Sequence, residues 1–214
     1  MLSEVQVDGR VARGDRTRAA VLDTAVALAT EAGLDGLSLG QLAERLGVSK
    51  SGLFAHWRSK LDLQLATVER AEQRFTDTVV RPALQEPRGV RRLWALYVRK
   101  LADITSDGLP GGCFFANAQF EFVARPGPVR ERLAAALDGY HQLLERLIRE
   151  AIDAGELSAD VDVRQLAFEL NAFGTAAVYE SRLLAPADVF TYARSGALHR
   201  LHALCRRPEL LPEE

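Results

Sequence analysis

The stretch Ser38–Lys60, SLGQLAERLGVSKSGLFAHWRSK, decides how this chain is read. It divides into an amphipathic segment, a polar turn and a second, shorter amphipathic segment. Ser38 followed by Gln41 is the capping-box pattern, in which a serine hydroxyl takes the amide three residues on. The pattern predicts a helix through Leu42, Ala43 and Leu46. Gly47 ends it, because glycine adopts left-handed backbone geometry at little cost. Ser49 is placed to cap a further helix that ends near Trp57. A helix, a turn of about three residues opened by glycine, and a second helix form the arrangement whose second helix lies in a DNA major groove. Leu42, Ala43 and Leu46 are expected to point inward, with Val48 plugging the turn. Leu53 and Trp57, one turn apart, would anchor the second helix to its own domain. That leaves Lys50, Ser51, Gly52, Phe54 and Ala55 outward, with His56 beside them.

The flanking sequence is helical throughout. Val21, Ala25, Leu28 and Ala32 recur at helical spacing from about Asp15 and stop at Gly33. Ser59 with Asp62 opens a fourth helix, with Leu61, Leu65, Val68, Phe75 and Val79 along one stripe and a halt before Pro82. Val90, Trp94, Tyr97, Leu101 and Ile104 mark a fifth. GLPGG at 108–112 breaks the chain before the phenylalanine-rich CFFANAQFEF at 113–122. A long seventh helix runs through Leu133, Leu137, Tyr140, Leu144, Leu147 and Ala151 to Gly155. An eighth covers about Asp162–Leu184, and a ninth about Pro186–Cys205. No stretch alternates with a period of two long enough to make a strand. The expectation is an all-α fold of about nine helices. It has a flexible arm at 1–14, a helix-turn-helix domain at 15–60, a larger helical domain at 61–205 and a tail at 206–214.

Net charge is −2, so no global positive field marks a nucleic-acid partner, but the charge is uneven. Residues 10–60 hold eight Lys/Arg against five Asp/Glu, whereas residues 61–214 hold nineteen against twenty-two. Lys60 opens a helix, where a cation opposes the helix dipole, so an outside phosphate is the expected partner; Arg16 and Arg18 share that awkwardness. Ser49 would leave amides at a helix start able to meet a phosphate. Cys113 and Cys205 stand in no metal-ligand spacing, and His199 and His202 lack companions to complete a metal set. The cysteines point to a reducing compartment, the N-terminus has no signal-peptide core, and no apolar run is long enough to span a bilayer. A cytoplasmic protein with no membrane partner, metal or cofactor is expected. Gly36-Leu-Ser38-Leu-Gly40 fits the G-x-S-x-G elbow of serine hydrolases, but that motif needs a preceding strand and a sheet. Ser38 is better read as a helix cap. The remaining alternative is a helical interaction module without DNA binding.

T-R-x-x-V-L-x-x-A from Thr17, and G-L-x-x-L-S-L-x-x-L-A-x-x-L-G-V-S-x-x-x-L-F-x-H-W-x-x-K-x-x-L ending at Leu63, resemble the DNA-binding domain of TetR-type bacterial transcription regulators. The rest of the chain matches only in helix number and length, though GGCFFANAQFEF is similar to a segment in a subset of the family. The resemblance implies that Thr17 and Lys60 touch phosphates and that Ser38 caps the second helix and meets the DNA backbone. It further implies that Lys50, Ser51 and Gly52 read bases and that His56 reaches the backbone. Phe54 stands where the family usually has a phosphate-binding tyrosine, a loss of about 0.5–1.5 kcal/mol of contact.

A single short reading helix recognises few base pairs, so a homodimer on an inverted-repeat operator is expected. Its surface is assigned to Val163, Leu166, Leu170, Gly174, Ala177 and Val178 of the eighth helix and Phe190, Ala193, Ala197, Leu201 and Leu204 of the ninth. They would form a four-helix bundle across the twofold axis. The alternative is that both stripes complete the core of a single chain. Trp94, Tyr97, Phe114, Phe115, Asn117, Phe120, Glu121 and His141 are expected to line a small-molecule pocket, with Cys113 a candidate redox or electrophile sensor. A ligand there would shift the fourth helix and alter the distance between the two reading heads. The function expected is a ligand-responsive transcriptional regulator, by the family's habit a repressor, and not an enzyme.

Overall fold

The computed structural model describes residues 9–54, 56–106, 109–184 and 188–213, and the side chains of residues 9–17, Lys50 and Phe54 lie outside that description. The helices are α1 Gly9–Ala32, α2 Leu39–Leu46, α3 Lys50–Phe54, α4 Lys60–Phe75, α5 Arg81–Ala83, α6 Val90–Ile104, α7 Phe114–Phe122, α8 Pro128–Asp153, α9 Val163–Leu183 and α10 Val189–Leu204. No strand occurs among the described residues; Leu157 and Cys205 form one isolated bridge. The all-α expectation therefore holds. α1 begins at Gly9 rather than near Asp15, so part of the expected arm is helical.

The predicted stop before Pro82 does not occur. A π-turn at Thr76–Val80 carries α4 directly into α5, with the Arg81 amide donating to Thr76 O. The wider i→i+5 turn absorbs the donor that Pro82 lacks, so the rod continues past it. The turn also brings Val79 into the core.

Local chemistry explains the N-terminal helices. The Ser38 hydroxyl accepts the Gln41 amide at 3.2 Å and donates to Gln41 Oε1 at 2.9 Å. Gly47 sits at φ 64°, ψ 30°. The Val48 amide then donates back to Ala43 O at 3.0 Å, closing the helix end. Replacing Ser38 with alanine is expected to lower stability by about 1 kcal/mol, read from urea midpoints. Val48, however, does not plug the turn. It is 46 % exposed, because the left-handed Gly47 swings the chain outward before Val48.

Two buried clusters organise the molecule. The first joins Val21, Ala25 and Val26 of α1, Leu42 and Ala43 of α2, Leu53, Trp57, and Leu63 and Val68 of α4. It does not end with the helix-turn-helix: Leu109, Phe114, Ala118 and Phe122 around α7, and Val129 and Leu133 of α8, complete it. The second cluster gathers α6, the middle and C-terminal part of α8, α9 and α10. Leu166, Leu170, Gly174, Ala177 and Val178 of α9 lie buried here with Ala193, Ala197 and Leu201 of α10, and Phe190 and Leu204 pack against them. The stripes assigned to a dimer surface thus fill the chain's own core, because small residues let α9 and α10 approach closely.

Candidate functional site

The reading face begins with what is buried beneath it. Leu53 is 4 % and Trp57 1 % exposed, so both anchor the reverse side as the spacing predicts, although α3 ends at Phe54 rather than near Trp57. Ser49, Ser51, Gly52 and His56 are exposed on the other side. Ser49 Oγ accepts the Gly52 amide at 3.2 Å and the Ser51 hydroxyl at 3.3 Å, so its hydroxyl is a helix cap. That bond occupies the Gly52 amide, one of the amides at this helix start. Arg18 lies over the Trp57 ring at 5.3 Å, beside this face. The expected contacts of the Thr17, Lys50 and Phe54 side chains fall outside the described residues, as does Ala55.

Lys60 has a partner inside the chain. Its ammonium lies 3.1 Å from Asp35, whose other carboxylate oxygen accepts from Arg125 at 2.8 Å. Bonds from Lys60 and then Arg125 hold the Asp35 carboxyl below its usual range. An internal carboxylate thus partners the charge that was expected to seek a phosphate, while Lys60 stays on the surface. The pair is half exposed, so Lys60→Ala is expected to change stability by less than about 1 kcal/mol, again from urea midpoints.

Asp35 belongs to a larger junction between α7 and the turn joining α1 to α2. Glu121 accepts the amides of Leu34 at 2.7 Å and Asp35 at 3.0 Å. Asn117 donates to Thr30 O at 3.3 Å and to Gly111 O at 2.9 Å. The Gly111 amide donates to the Thr30 hydroxyl at 2.9 Å. Asn117, Glu121 and Arg125 recur every four residues, so one edge of α7 and its extension holds the end of α1. Ser38, just beyond this turn, is preceded by a loop rather than a strand, so the hydrolase elbow has no support in the fold.

A cavity of about 600 Å³ opens on the other side of α7. Cys113, Phe115, Ala116 and Gln119 form its α7 wall. Phe75, Thr76 and Val80 come from α4 and the π-turn, Tyr140 and Leu143 from α8, Asn171 and Thr175 from α9, and Lys100 from α6. Of the residues expected to line a pocket, Cys113 and Phe115 do so. Trp94 and Tyr97 are core, stacked at 5.9 Å, with the Tyr97 hydroxyl donating to Ala193 O. Phe114 is buried in the N-terminal cluster, and Asn117 and Glu121 serve the junction. Phe120 is 59 % exposed near Tyr179, and His141 is absent from the wall. The helical twist of α7 explains the sorting, since successive residues point about 100° apart. Cys113 Sγ caps α7 by accepting the Ala116 amide.

Sequence reasoning missed the buried charged group on the cavity wall. Lys100 is 9 % exposed; it donates to Asn171 Oδ1 at 2.9 Å, and its ammonium lies 4.5 Å from the Tyr140 ring centroid. Burial lowers its pKa to about 8, with an opposing pull from Cys113. The Tyr140 hydroxyl is buried without a hydrogen-bond partner among the described residues, and burial pushes its pKa up, so it stays a protonated donor. Glu72, also on the wall, is engaged by the Arg132 guanidinium.

Comparison with known proteins adds the family. Residues 21–67 match the family described as bacterial regulatory proteins, tetR family, and residues 89–197 match the tetracyclin repressor-like C-terminal domain. The HTH-type transcriptional regulator SrpR of Pseudomonas putida is 25 % identical over 206 residues, 95 % of this chain and 92 % of its own length. A TetR transcriptional regulator from Chloroflexus aurantiacus superposes with a TM-score of 0.82 at 24 % identity, covering 91 % of this chain and 98 % of its own. AibR, crystallised with isovaleryl coenzyme A and operator DNA, has a TM-score of 0.65 at 21 % identity, covering 86 % and 96 %. No described helix is long and apolar enough to cross a membrane. Helix-turn-helix, helical second domain and both family matches agree: this chain belongs to the tetR family of bacterial transcriptional regulators.

Proposed function

We propose that the protein is a cytoplasmic transcriptional repressor that binds an inverted-repeat operator as a homodimer and is released by a small molecule in the cavity between α4, α6, α7, α8 and α9. One observation carries this reading: α7 is both a wall of the cavity and the clamp on the α1–α2 turn. A ligand that pushes on Phe115 or Gln119 displaces the same rigid helix that presents Asn117 and Glu121 to α1. Both half-sites must be engaged together, so a small change in the separation of two reading heads lowers affinity. The lever assigned here is α7 acting with α4, rather than α4 alone.

The dimer surface is moved accordingly. Phe168, Tyr179 and Leu183 of α9 and Tyr192 of α10 are 56–66 % exposed, on the side of these helices away from the core. Large exposed apolar side chains grouped in this way mark association surfaces.

The test begins with selection of bound duplexes from a random oligonucleotide pool. Affinity for the selected site is then compared with that of Gly52→Asp, which sets a carboxylate on the exposed face of α3. A loss of more than about tenfold with an unchanged melting temperature is expected, since a negative charge there faces bases and phosphates. Equal affinity, or a selected pool without inverted repeats, would overturn the reading.

A further inference from the structure

The cavity holds a charge that the protein itself leaves without an opposite. Among the described residues, no carboxylate lies within ion-pair distance of the Lys100 ammonium; its partners are a neutral amide oxygen and the face of a ring. Glu72, the acidic residue on the wall, is held by Arg132. Arg146 stands exposed at the rim, so the balance along the cavity is positive. A second group lies beside the first: among the described residues, the Tyr140 hydroxyl is a buried donor with no acceptor. Two donors of this kind, from facing helices that both contribute to the cavity wall, suit one acceptor that brings its own negative charge. Phe75, Val80, Phe115, Leu143 and Val178 supply apolar wall, which suits an apolar body, with the neutral polar groups of Thr76, Gln119, Gln142 and Thr175 between them. The volume of about 600 Å³ is that of a small organic molecule rather than an inorganic ion.

We infer that the effector is an organic anion, a carboxylate on an aliphatic or aromatic body, whose head group is held between Lys100 Nζ and the Tyr140 hydroxyl. The inference rests on the cavity being the effector site. The low proton affinity of Lys100 fits it, because a carboxylate entering the site supplies the stabilisation that burial withholds. A neutral ligand of the same shape leaves the ammonium uncompensated and is bound more weakly.

The test uses matched pairs that differ only in the head group: octanoate with octanamide, and 3-phenylpropanoate with 3-phenylpropanamide. Calorimetric titration of the full chain at pH 7 should give the carboxylates at least about tenfold tighter binding than their amides, the margin of one charge-assisted bond over a neutral one. Lys100→Met should remove that preference while leaving the amides unchanged, and Tyr140→Phe should weaken the carboxylate alone. Circular dichroism of each variant verifies that it is folded. Amides binding as tightly as carboxylates, a preference that survives Lys100→Met, or no binding of either carboxylate would each overturn the inference. Operator affinity, measured in parallel, separates it from the wider reading. Carboxylates that bind through Lys100 without releasing DNA uphold the anion site and sink the switch. DNA released equally by neutral ligands, with Lys100→Met indifferent, upholds the switch and sinks the anion site.

Discussion

Gly111→Ala is expected to pry the DNA-binding end of the molecule away from α7. A Cβ at Gly111 would stand 1.8 Å from Thr30 O, 2.0 Å from Thr30 C and 2.6 Å from Thr30 Cβ. The first two are backbone atoms at the end of α1, which cannot swing aside as a side-chain tip would. Moving them breaks the Gly111 amide bond to the Thr30 hydroxyl and both bonds made by Asn117. Leu109 and Phe114, on either side, belong to the buried cluster beneath α1 and move with the chain. Overpacking at about 1–3 kcal/mol, with three hydrogen bonds lost at about 1 kcal/mol each, puts the cost at about 4–6 kcal/mol. For a chain of this size that is a fall in melting temperature of about 10 °C. Gly112 is the control. It needs its φ of 80°, but a methyl group there would meet nothing within 4 Å, so Gly112→Ala should cost only about 1 kcal/mol. Similar losses at the two positions would mean that backbone strain, not the close approach to Thr30, sets the junction.

What the sequence made legible was local. The Ser38 cap, the left-handed Gly47, and Leu53 with Trp57 one turn apart all report on neighbours within four residues, and each takes its expected place. What escaped is decided across the chain. A cation at the start of α4 does oppose the helix dipole, yet Asp35 reaches Lys60 only because of the turn after α1. Asn117 and Glu121 stand out because a polar group among phenylalanines must satisfy something. That something is the end of α1 and the turn after it rather than a ligand, and no pattern in the sequence names it. The small-residue stripes on α9 and α10 mark close helix packing equally well inside a chain and between chains. Exposed Phe168, Tyr179 and Tyr192 fall off those stripes, so the stripes say nothing of them. Lys100 does carry a signal: Leu93, Tyr97, Lys100 and Ile104 recur at spacings of four, three and four, placing a lysine on a buried helical stripe.

That lysine gives the second large expectation, a stability difference between wild type and Lys100→Met that depends on pH. The folded-state pKa of Lys100 is about 8, below its ordinary value of 10.5. Below pH 8 the amine is charged in both states, and the folded state carries the full cost of burying it. Between pH 8 and 10.5 the unfolded chain keeps a proton that the folded chain has shed, so wild-type stability gains as pH rises. Above 10.5 the amine is neutral in both and the cost is gone. Methionine, similar in length and never charged, has no such dependence. Urea unfolding at 25 °C should therefore show the variant gaining about 3 kcal/mol on wild type at pH 7 relative to pH 10.5. Losing the bond to Asn171 adds an offset that is nearly the same at every pH. Upward-shifted Tyr97, Tyr140 and Cys205 weaken both proteins at alkaline pH and cancel in the difference. Cys113, whose pull on the Lys100 ammonium opposes the effect of burial, is retained in both. A difference that stays flat from pH 7 to 10.5 would mean that water or an acidic partner reaches Lys100, and the cavity wall would then hold no uncompensated charge for a ligand to meet.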